Sequence, residues 1–562
     1  MQLLGKGMSA EFWREVREKD CYAGYREALL SDFEELLSLG DLRALRYSDF
    51  KLFFVTGNRS VYEKEYTVHR KAMTVSAFLS LVYPEEEKYI NYLMDAIYTV
   101  CDEYTWCLPA HQPSFEENNN CHIDLCGASM GFYLAIISTL LGDRLEPLIR
   151  SRINAEVERR VFEPFLKNEP YSWWETGTSD WTAVCMGSVA CAFMLMRPEK
   201  ARELIPRFEK SMAGFIRGFS SEGVCYEGGG YWNYGIGTFL PYADMIRTFT
   251  EGEIDYFKDP KIKKILTFYD NIFIGDGVVA NFADCGEHGG RVNGRMHYIA
   301  KEYPDVMKSS GCKKSAFTHD YDVPIRFYEA LWFYEEEDSG NSVNEEREFY
   351  APEAEWYIRR NTNYGFAAKG GHNAEHHNHN DVGNFIFAVG NKQIISDLGS
   401  GVYTKQYFSP ERYSILETSA RSHNVPIIDG NLQKNGRNFA AKDFKYECGR
   451  VSVEIAGAYE CLSENDSIKR NFDFTDRAVK LTDRFSFDVQ RSVTERICSK
   501  IKPNIDTRGV VYIENVAIKY DADVWSVSIS VENASKNNAE YYMMDFVPCK
   551  KVSIFELEIV AE

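Results

Sequence analysis

The chain has 562 residues, too many for a single hydrophobic core, so two or three domains are expected. Its 44% hydrophobic content supplies ample globular interior, and its formal charge of -20 argues against nucleic acid or an anionic membrane as main partner, since both favour a basic face. A small anionic substrate in a local basic pocket is still compatible with that charge.

The N-terminus, MQLLGKGMSAEFWREVREKD, has no apolar stretch of signal-peptide length and carries acidic residues early. No run is read as reaching the roughly 20 apolar residues of a membrane span. The expectation is a cytoplasmic protein with no membrane partner, unless a leader precedes this sequence. Fourteen cysteines are spread without paired spacing, and Cys126, Cys185 and Cys191 sit in helical apolar patterns, which points to reduced, buried thiols.

From residue 1 to 334 the pattern is helical. Val68 to Tyr104 holds two periodic runs around Tyr83-Pro84-Glu85, Asp124 to Gly142 is a strongly apolar helix begun by an acidic residue, and Asp180 to Met196 repeats that form. Pro198 to Phe219, Tyr231 to Thr250 and Asp259 to Ile272 follow. Short loops join these helices, so neighbours are expected to pack antiparallel, and a run of such hairpins suggests an incomplete α/α toroid. The loops are rich in aromatic and polar residues: Trp106 to His111, Tyr171 to Glu175, Ser179 to Trp181, Tyr226 to Tyr234, and Asp284 to Arg295. Rings that cover C–H faces, with polar groups that meet hydroxyls, suit a sugar-binding cleft, although any single ring is more often core. Gly228-Gly229-Gly230 has no phosphate-loop lysine and is expected to let the backbone approach a ligand.

Residues 335–348 form an acidic, solvated linker. From 349 to 562 the pattern alternates as β-strands do, at Val451 to Ile455, Ala478 to Thr482, Val524 to Ile529 and Val552 to Ile559. With no long helix between them, these strands predict an antiparallel β-sandwich domain.

Early in this half, five of the eleven histidines fall between His372 and His423. Phe385 to Val389, a Gly390-Asn391 turn and Ile394 to Asp397 read as a hairpin. On a strand, His377 and His379 would point the same way, and the hairpin would return Asp397 beside them. His423 opens a further apolar stretch that ends in Asp429-Gly430. A histidine cluster can be a polar surface loop and nothing more. Two converging segments favour the other reading, in which His379, Asp397 and His423 form a nitrogen-and-oxygen set suited to Zn2+.

Taken together, these blocks resemble the heparinase II/III-like polysaccharide lyases, a family that also includes alginate and oligoalginate lyases. The resemblance is carried by Lys369-Gly370-Gly371-His372-Asn373, by His377-Asn378-His379-Asn380-Asp381-Val382-Gly383-Asn384-Phe385, and by Ser396-Asp397-Leu398-Gly399. Tyr407-Phe408-Ser409-Pro410 and Ser422-His423-Asn424 continue it, and Asp180 to Cys185 and Glu227 to Trp232 match in the helical half. The family implies an N-terminal α/α toroid, an antiparallel β-sandwich and an active site in the cleft between them.

It also implies β-elimination at a uronic acid in an oligosaccharide or polysaccharide. The C5 proton is weakly acidic, so the site must neutralise the carboxylate, supply a base and protonate the leaving oxygen. By resemblance Tyr231 is the catalytic tyrosine, with Tyr234 one helical turn on as the fallback. A free tyrosine has a pKa of about 10 and needs nearby positive charge or donors to act as a base. His377 matches the active-site histidine, Tyr407 a second tyrosine acting as acid, and His379, Asp397 and His423 the zinc ligands that brace the site. Where the family places Asn to meet the uronate, this chain has Asp180. An ionised Asp180 repels a carboxylate, so either Asp180 is protonated in the complex, or a neighbour such as Arg291, Arg295 or Arg421 neutralises the uronate, or the substrate differs; Trp181, Glu227 and Tyr234 are the further substrate contacts.

Two other functions compete. One is a glycoside hydrolase on an α/α toroid using Asp180, Glu175 and Glu227. The other is a non-catalytic sugar-binding homologue. The sequence leaves the glycan and the oligomeric state, a homo-oligomer included, open.

Overall fold

The computed structural model describes residues 2–114, 119–290, 293–305, 322–333 and 346–562. By contacts the chain divides into two compact units. One comprises Met1–Gly218, Asn233–Lys263 and Arg291–Gly340; the other comprises Phe219–Trp232, Lys264–Gly290 and Asn341–Glu562. The expected boundary between 334 and 349 is therefore crossed twice, because two segments from the helical half group with the C-terminal residues. Most of the acidic linker, residues 334–345, lies outside the described residues.

The first unit is helical. Ser60–Val82 and Glu87–Asp102 form the hairpin expected around Tyr83 and Pro84. Leu125–Leu141 begins where the Asp124 carboxylate accepts the Gly127 N–H at 2.7 Å, an N-cap that satisfies an otherwise orphaned donor. This helix packs along Asp180–Met196, which in turn packs along Pro198–Arg217. One sequence expectation needs correction. Leu125–Arg144, at 20 residues, is long and apolar enough to cross a membrane by length and composition, and 67% of it is buried within the protein. An apolar helix buried on nearly all sides is what the core of a helical array requires.

The second unit is built of antiparallel sheets. A five-stranded sheet takes Arg347–Ala351, Trp356–Arg360, Gly365–Lys369, Phe385–Val389 and Lys392–Ile395 in that spatial order. An eight-stranded sheet contains the expected strands at Arg450–Glu454, Ala478–Ser486 and Ile554–Ala561, and a four-stranded sheet contains Trp525–Asn533. Alternation explains the packing: in Arg450–Glu454, Val451 and Val453 turn inward and Arg450 outward. Phe366, Phe385, Phe472, Ile497 and Phe546 share one core across these sheets. The fold class is thus the expected one, a helical α/α unit and an antiparallel β-sandwich.

The two segments that join the sandwich do so through large buried contacts. Trp232 stacks on Tyr269 at 4.8 Å and donates Nε1–H to the Ile265 carbonyl at 2.7 Å. Gly228 has φ 88, and a Cβ there would lie 2.6 Å from the Phe282 carbonyl; one at Gly229 would lie 2.4 Å from Ile272 Cδ1. These two glycines therefore admit chain against chain, a correction to the expectation that they admit a ligand.

Beneath the histidine stretch lies a buried guanidinium. Arg470 Nη2 donates to Asp483 at 2.6 Å and to Glu495 at 3.2 Å, while Nη1 donates to the carbonyls of Gly383 at 2.9 Å and Asn424 at 2.6 Å. It fastens both histidine segments to the sandwich and counters Asp483 where no water reaches. Arg470→Met should lower stability by about 3–5 kcal/mol, because the carboxylate is left buried without its counter-charge. The measurement is the urea unfolding midpoint; an unchanged midpoint refutes this role.

Candidate active site

The site grows from a loop that is not a strand. Between His372–Asn373 and Phe385–Val389 the chain turns repeatedly, and His377 takes φ 55, in the left-handed region. Its neighbour Asn378 is fixed on both sides: the side-chain oxygen accepts the Tyr413 hydroxyl at 2.7 Å, and the carbonyl accepts Arg412 Nη2 at 3.2 Å. Strand alternation therefore does not align His377 and His379. A carboxylate does.

That carboxylate is Asp284. Oδ2 accepts His377 Nδ1–H at 2.9 Å and Arg412 Nη2–H at 2.9 Å. Oδ1 accepts His379 Nε2–H at 3.1 Å and the Tyr407 hydroxyl. Burial alone would raise the Asp284 carboxyl, but hydrogen bonds from both imidazoles and the charges of His379 and Arg412 hold it well below the ordinary range. An ionised carboxylate only accepts, so His377 Nδ1 and His379 Nε2 each carry a proton, and His377 Nε2 and His379 Nδ1 are the nitrogens turned away from Asp284.

On the open side, Tyr231 sits in the first turn of Gly229–Phe249 and stacks on His377 with ring centres 4.1 Å apart. Its hydroxyl meets the Tyr403 hydroxyl at 2.8 Å. Glu227 Oε2 lies 3.9 Å from His377 Nε2. Tyr407 is fully buried, donating to Asp284 and accepting the Gly401 N–H at 3.2 Å. Burial and the Asp284 charge push its phenol far up, which keeps it protonated. Tyr403 takes the position beside Tyr231.

On the inner side, His379 Nδ1 faces His423 Nε2 at 3.2 Å, and His423 Nε2 lies 3.4 Å from Asp397 Oδ2. One ligand atom from each of His379, Asp397 and His423 lies within 4.8 Å of the others, and all three residues are buried. His423 Nδ1–H donates to the Ser419 carbonyl at 2.9 Å. Both imidazoles thus turn their protons outward and face each other with electron pairs, next to a carboxylate. Such a set is favourable only around a cation or a proton. Burial alone would raise the Asp397 carboxyl, yet the His423 charge and hydrogen bond, His379 and the Gly399 N–H bring it down to about 2. Burial disfavours the His423 imidazolium, but Asp397 outweighs this and raises the pKa above its ordinary value. Asp397 is further held by Asn384 Nδ2–H at 2.8 Å, the kind of outer support that fixes a metal ligand. The hairpin Phe385–Val389 and Lys392–Ile395 delivers Asp397 as the sequence predicts.

The remaining expected residues lie elsewhere. In the helical unit, buried Asp180 opens Asp180–Met196 against Gly235, where an added Cβ would lie 3.4 Å from Asp180 Cβ. Trp181 is half-buried, 4.9 Å from the His111 ring and 5.0 Å from Trp173, which is 60% exposed. Tyr234 lines a cavity of about 650 Å³ with Arg59, Arg70, Tyr133 and Asp322. Arg295 is buried and donates to the Asn233 carbonyl and Oδ1, both at 3.0 Å. Arg421, in the sandwich unit, pairs with Glu532 at 3.2 Å. Arg291 falls outside the described residues. Glu175 is locked by Arg207 at 2.7 and 2.8 Å, which removes it as a free acid for hydrolysis.

Asp284, Tyr403 and Arg412 were not legible as site residues. Asp284 lies in Ala-Asp-Cys-Gly, with no motif around it, and Tyr403 stands in the irregular chain just before the short 3-10 turn Gln406–Phe408 that carries Tyr407.

Residues 345–475 match the family model described as Heparinase II/III-like, C-terminal, which covers His377, His379, Asp397 and His423 and bears out the resemblance read from their motifs. Among solved structures, a heparan sulfate lyase from Pedobacter heparinus is 14% identical with a TM-score of 0.57, over 90% of this chain and 77% of that one. A Heparinase III is 13% identical with a TM-score of 0.58, over 90% and 78%. A chondroitin AC lyase from Streptomyces coelicolor, solved with chondroitin sulphate, is 10% identical with a TM-score of 0.57, over 98% and 82%. At such identities the likeness is one of fold. No curated protein matches the sequence.

If His379, Asp397 and His423 hold a metal, elemental analysis of the purified chain should find about one divalent ion, and His379→Ala and His423→Ala should each remove it. Equal metal in all three proteins rules out this ligand set.

Proposed function

We propose that this chain is a polysaccharide lyase that cleaves uronic-acid-containing oligosaccharides or polysaccharides by β-elimination. The observation that carries the reading is the stack of Tyr231 on His377, with Tyr403 on the Tyr231 hydroxyl and Asp284 behind the imidazole. A phenol that shares a hydrogen bond with a second phenol and lies against an imidazole has the means to hold negative charge on oxygen once Tyr403 donates to it.

In the proposed reaction the Tyr231 oxygen takes the C5 proton. The electron pair left on C5 forms the C4=C5 double bond, the C4–O bond breaks, and the leaving oxygen takes a proton returned by Tyr231. Tyr403 supports the Tyr231 oxygen while it is charged. His377, with Nδ1–H committed to Asp284, offers Nε2 to the acidic sugar. Asp180 cannot neutralise a uronate, and Arg295 and Arg421 are engaged by Asn233 and Glu532, so this reading assigns the carboxylate to His377 carrying a second proton on Nε2. Zn2+ held by His379, Asp397 and His423 would supply fixed positive charge and rigidity behind the reacting groups.

The named activities of the similar structures, on heparan sulfate and chondroitin, support the substrate class. The competing hydrolase reading loses Glu175 to its pair with Arg207.

Incubation with heparan sulfate, chondroitin, hyaluronan and alginate oligosaccharides should give an ultraviolet-absorbing unsaturated uronate with at least one of them. Tyr231→Phe should lower that rate by about 10²–10⁴-fold while leaving sugar binding in place. A reducing-sugar product without unsaturation, unaffected by Tyr231→Phe, favours hydrolysis; no product from any glycan overturns the enzyme reading.

A further inference from the structure

Asp284 stands where two groups of different purpose meet. Its four hydrogen bonds use the whole accepting capacity of a carboxylate, two per oxygen. Each oxygen serves one imidazole and one bracing residue: His379 with Tyr407 on Oδ1, His377 with Arg412 on Oδ2. Neither imidazole can turn over without leaving a buried acceptor unmatched, and the cost of that is what fixes both rings.

The backbone at both ends of this bridge is held in an unfavourable region. Ala283, immediately before Asp284, has φ 62, and His377 has φ 55. Non-glycine residues adopt such angles only where surrounding bonds over-determine them, and here the shared carboxylate joins the two. Asp284 itself is fully enclosed, with 0% of its side chain exposed, so it does not touch a ligand.

We propose that Asp284 is a positioning residue that couples the metal group to the reacting pair. Through Oδ1 it turns His379 Nδ1 toward His423 and Asp397; through Oδ2 it holds His377 flat against Tyr231. A cation on His379 Nδ1 polarises the Nε2–H bond and strengthens its hold on Asp284 Oδ1. That redistributes charge on the carboxylate to which His377 is bound. Metal occupancy and the setting of His377 are then properties of one unit, although His377 is not a ligand. The catalytic consequence rests on the lyase reading; the coupling between metal and His377 does not.

The test uses the full chain, stripped of metal and titrated with Zn2+. In the unmodified protein, 15N imidazole resonances of His377 should shift on Zn2+ addition with the same saturation curve as those of His379. Asp284→Asn should weaken Zn2+ affinity by about 10–100-fold in a chelator competition, the usual effect of losing an outer-shell partner of a ligating histidine. It should also mix the tautomers of His377. Tyr407→Phe removes a neighbouring bond from the same carboxylate but spares both imidazoles, so its Zn2+ affinity should stay within about threefold. With a substrate found, Asp284→Asn should lower kcat far more than it raises KM. A silent His377 in the unmodified protein, or equal affinity losses in Asp284→Asn and Tyr407→Phe, overturns the coupling. Absence of lyase activity with the His377 shift present overturns only the reading of the reaction.

Discussion

A carboxylate taken out of water must find a donor for each of its electron pairs, and the histidine loop of this chain is arranged around one that does. Asp284 collects two imidazoles from the loop at His377 and His379 and a phenol and a guanidinium from the stretch between Tyr407 and Arg412. The histidine loop has no ladder of backbone bonds to give it shape. Side chains shape it: Tyr413 on Asn378, Asn384 between Asp397 and Asn424, and Asp284 beneath both histidines. Removing the carboxylate would leave the loop with its components and without its geometry.

A second buried charge anchors the same loop from below. Arg470 reaches the carbonyls of Gly383 and Asn424, which end the first histidine run and follow His423, and it is itself neutralised by Asp483 and Glu495. The two ions act at different depths. Arg470 fixes where the segments leave the sandwich, and Asp284 fixes how their imidazoles turn. A pair of histidines positioned in this way presents one ring outward, toward Tyr231, and one inward, toward Asp397 and His423.

The helical unit contributes a different chemistry. At the amino ends of Leu125–Leu141 and Asp180–Met196, His111 bonds to the helix-capping Asp124 at 2.7 Å and its ring lies against Trp181, with Trp173 beyond. An indole that is 60% exposed thus lies beside a half-buried one. Asp180 lies in the same stretch of chain, and of the expected arginines Arg295 bonds to Asn233 and Arg421 pairs with Glu532.

Sequence periodicity alone placed the helices Leu125–Leu141, Asp180–Met196, Pro198–Arg217, Gly229–Phe249 and Pro260–Asn271 within about two residues, began Ser60–Val82 eight residues late, and placed the strands by their alternation, because each pattern reports which face of a local element is apolar. It also brought together His379, Asp397 and His423, since a hairpin of known length fixes where its return strand ends. It could not find Asp284, which lies 93 residues before His377 in a segment without a motif. Nor could it choose Tyr403 over Tyr407 as the neighbour of Tyr231, or group residues 219–232 and 264–290 with the sandwich. Those decisions belong to tertiary structure for a physical reason. Periodicity encodes a face, whereas the pairing of a buried charge with its donors depends on which distant segments arrive at the same point with matching valence.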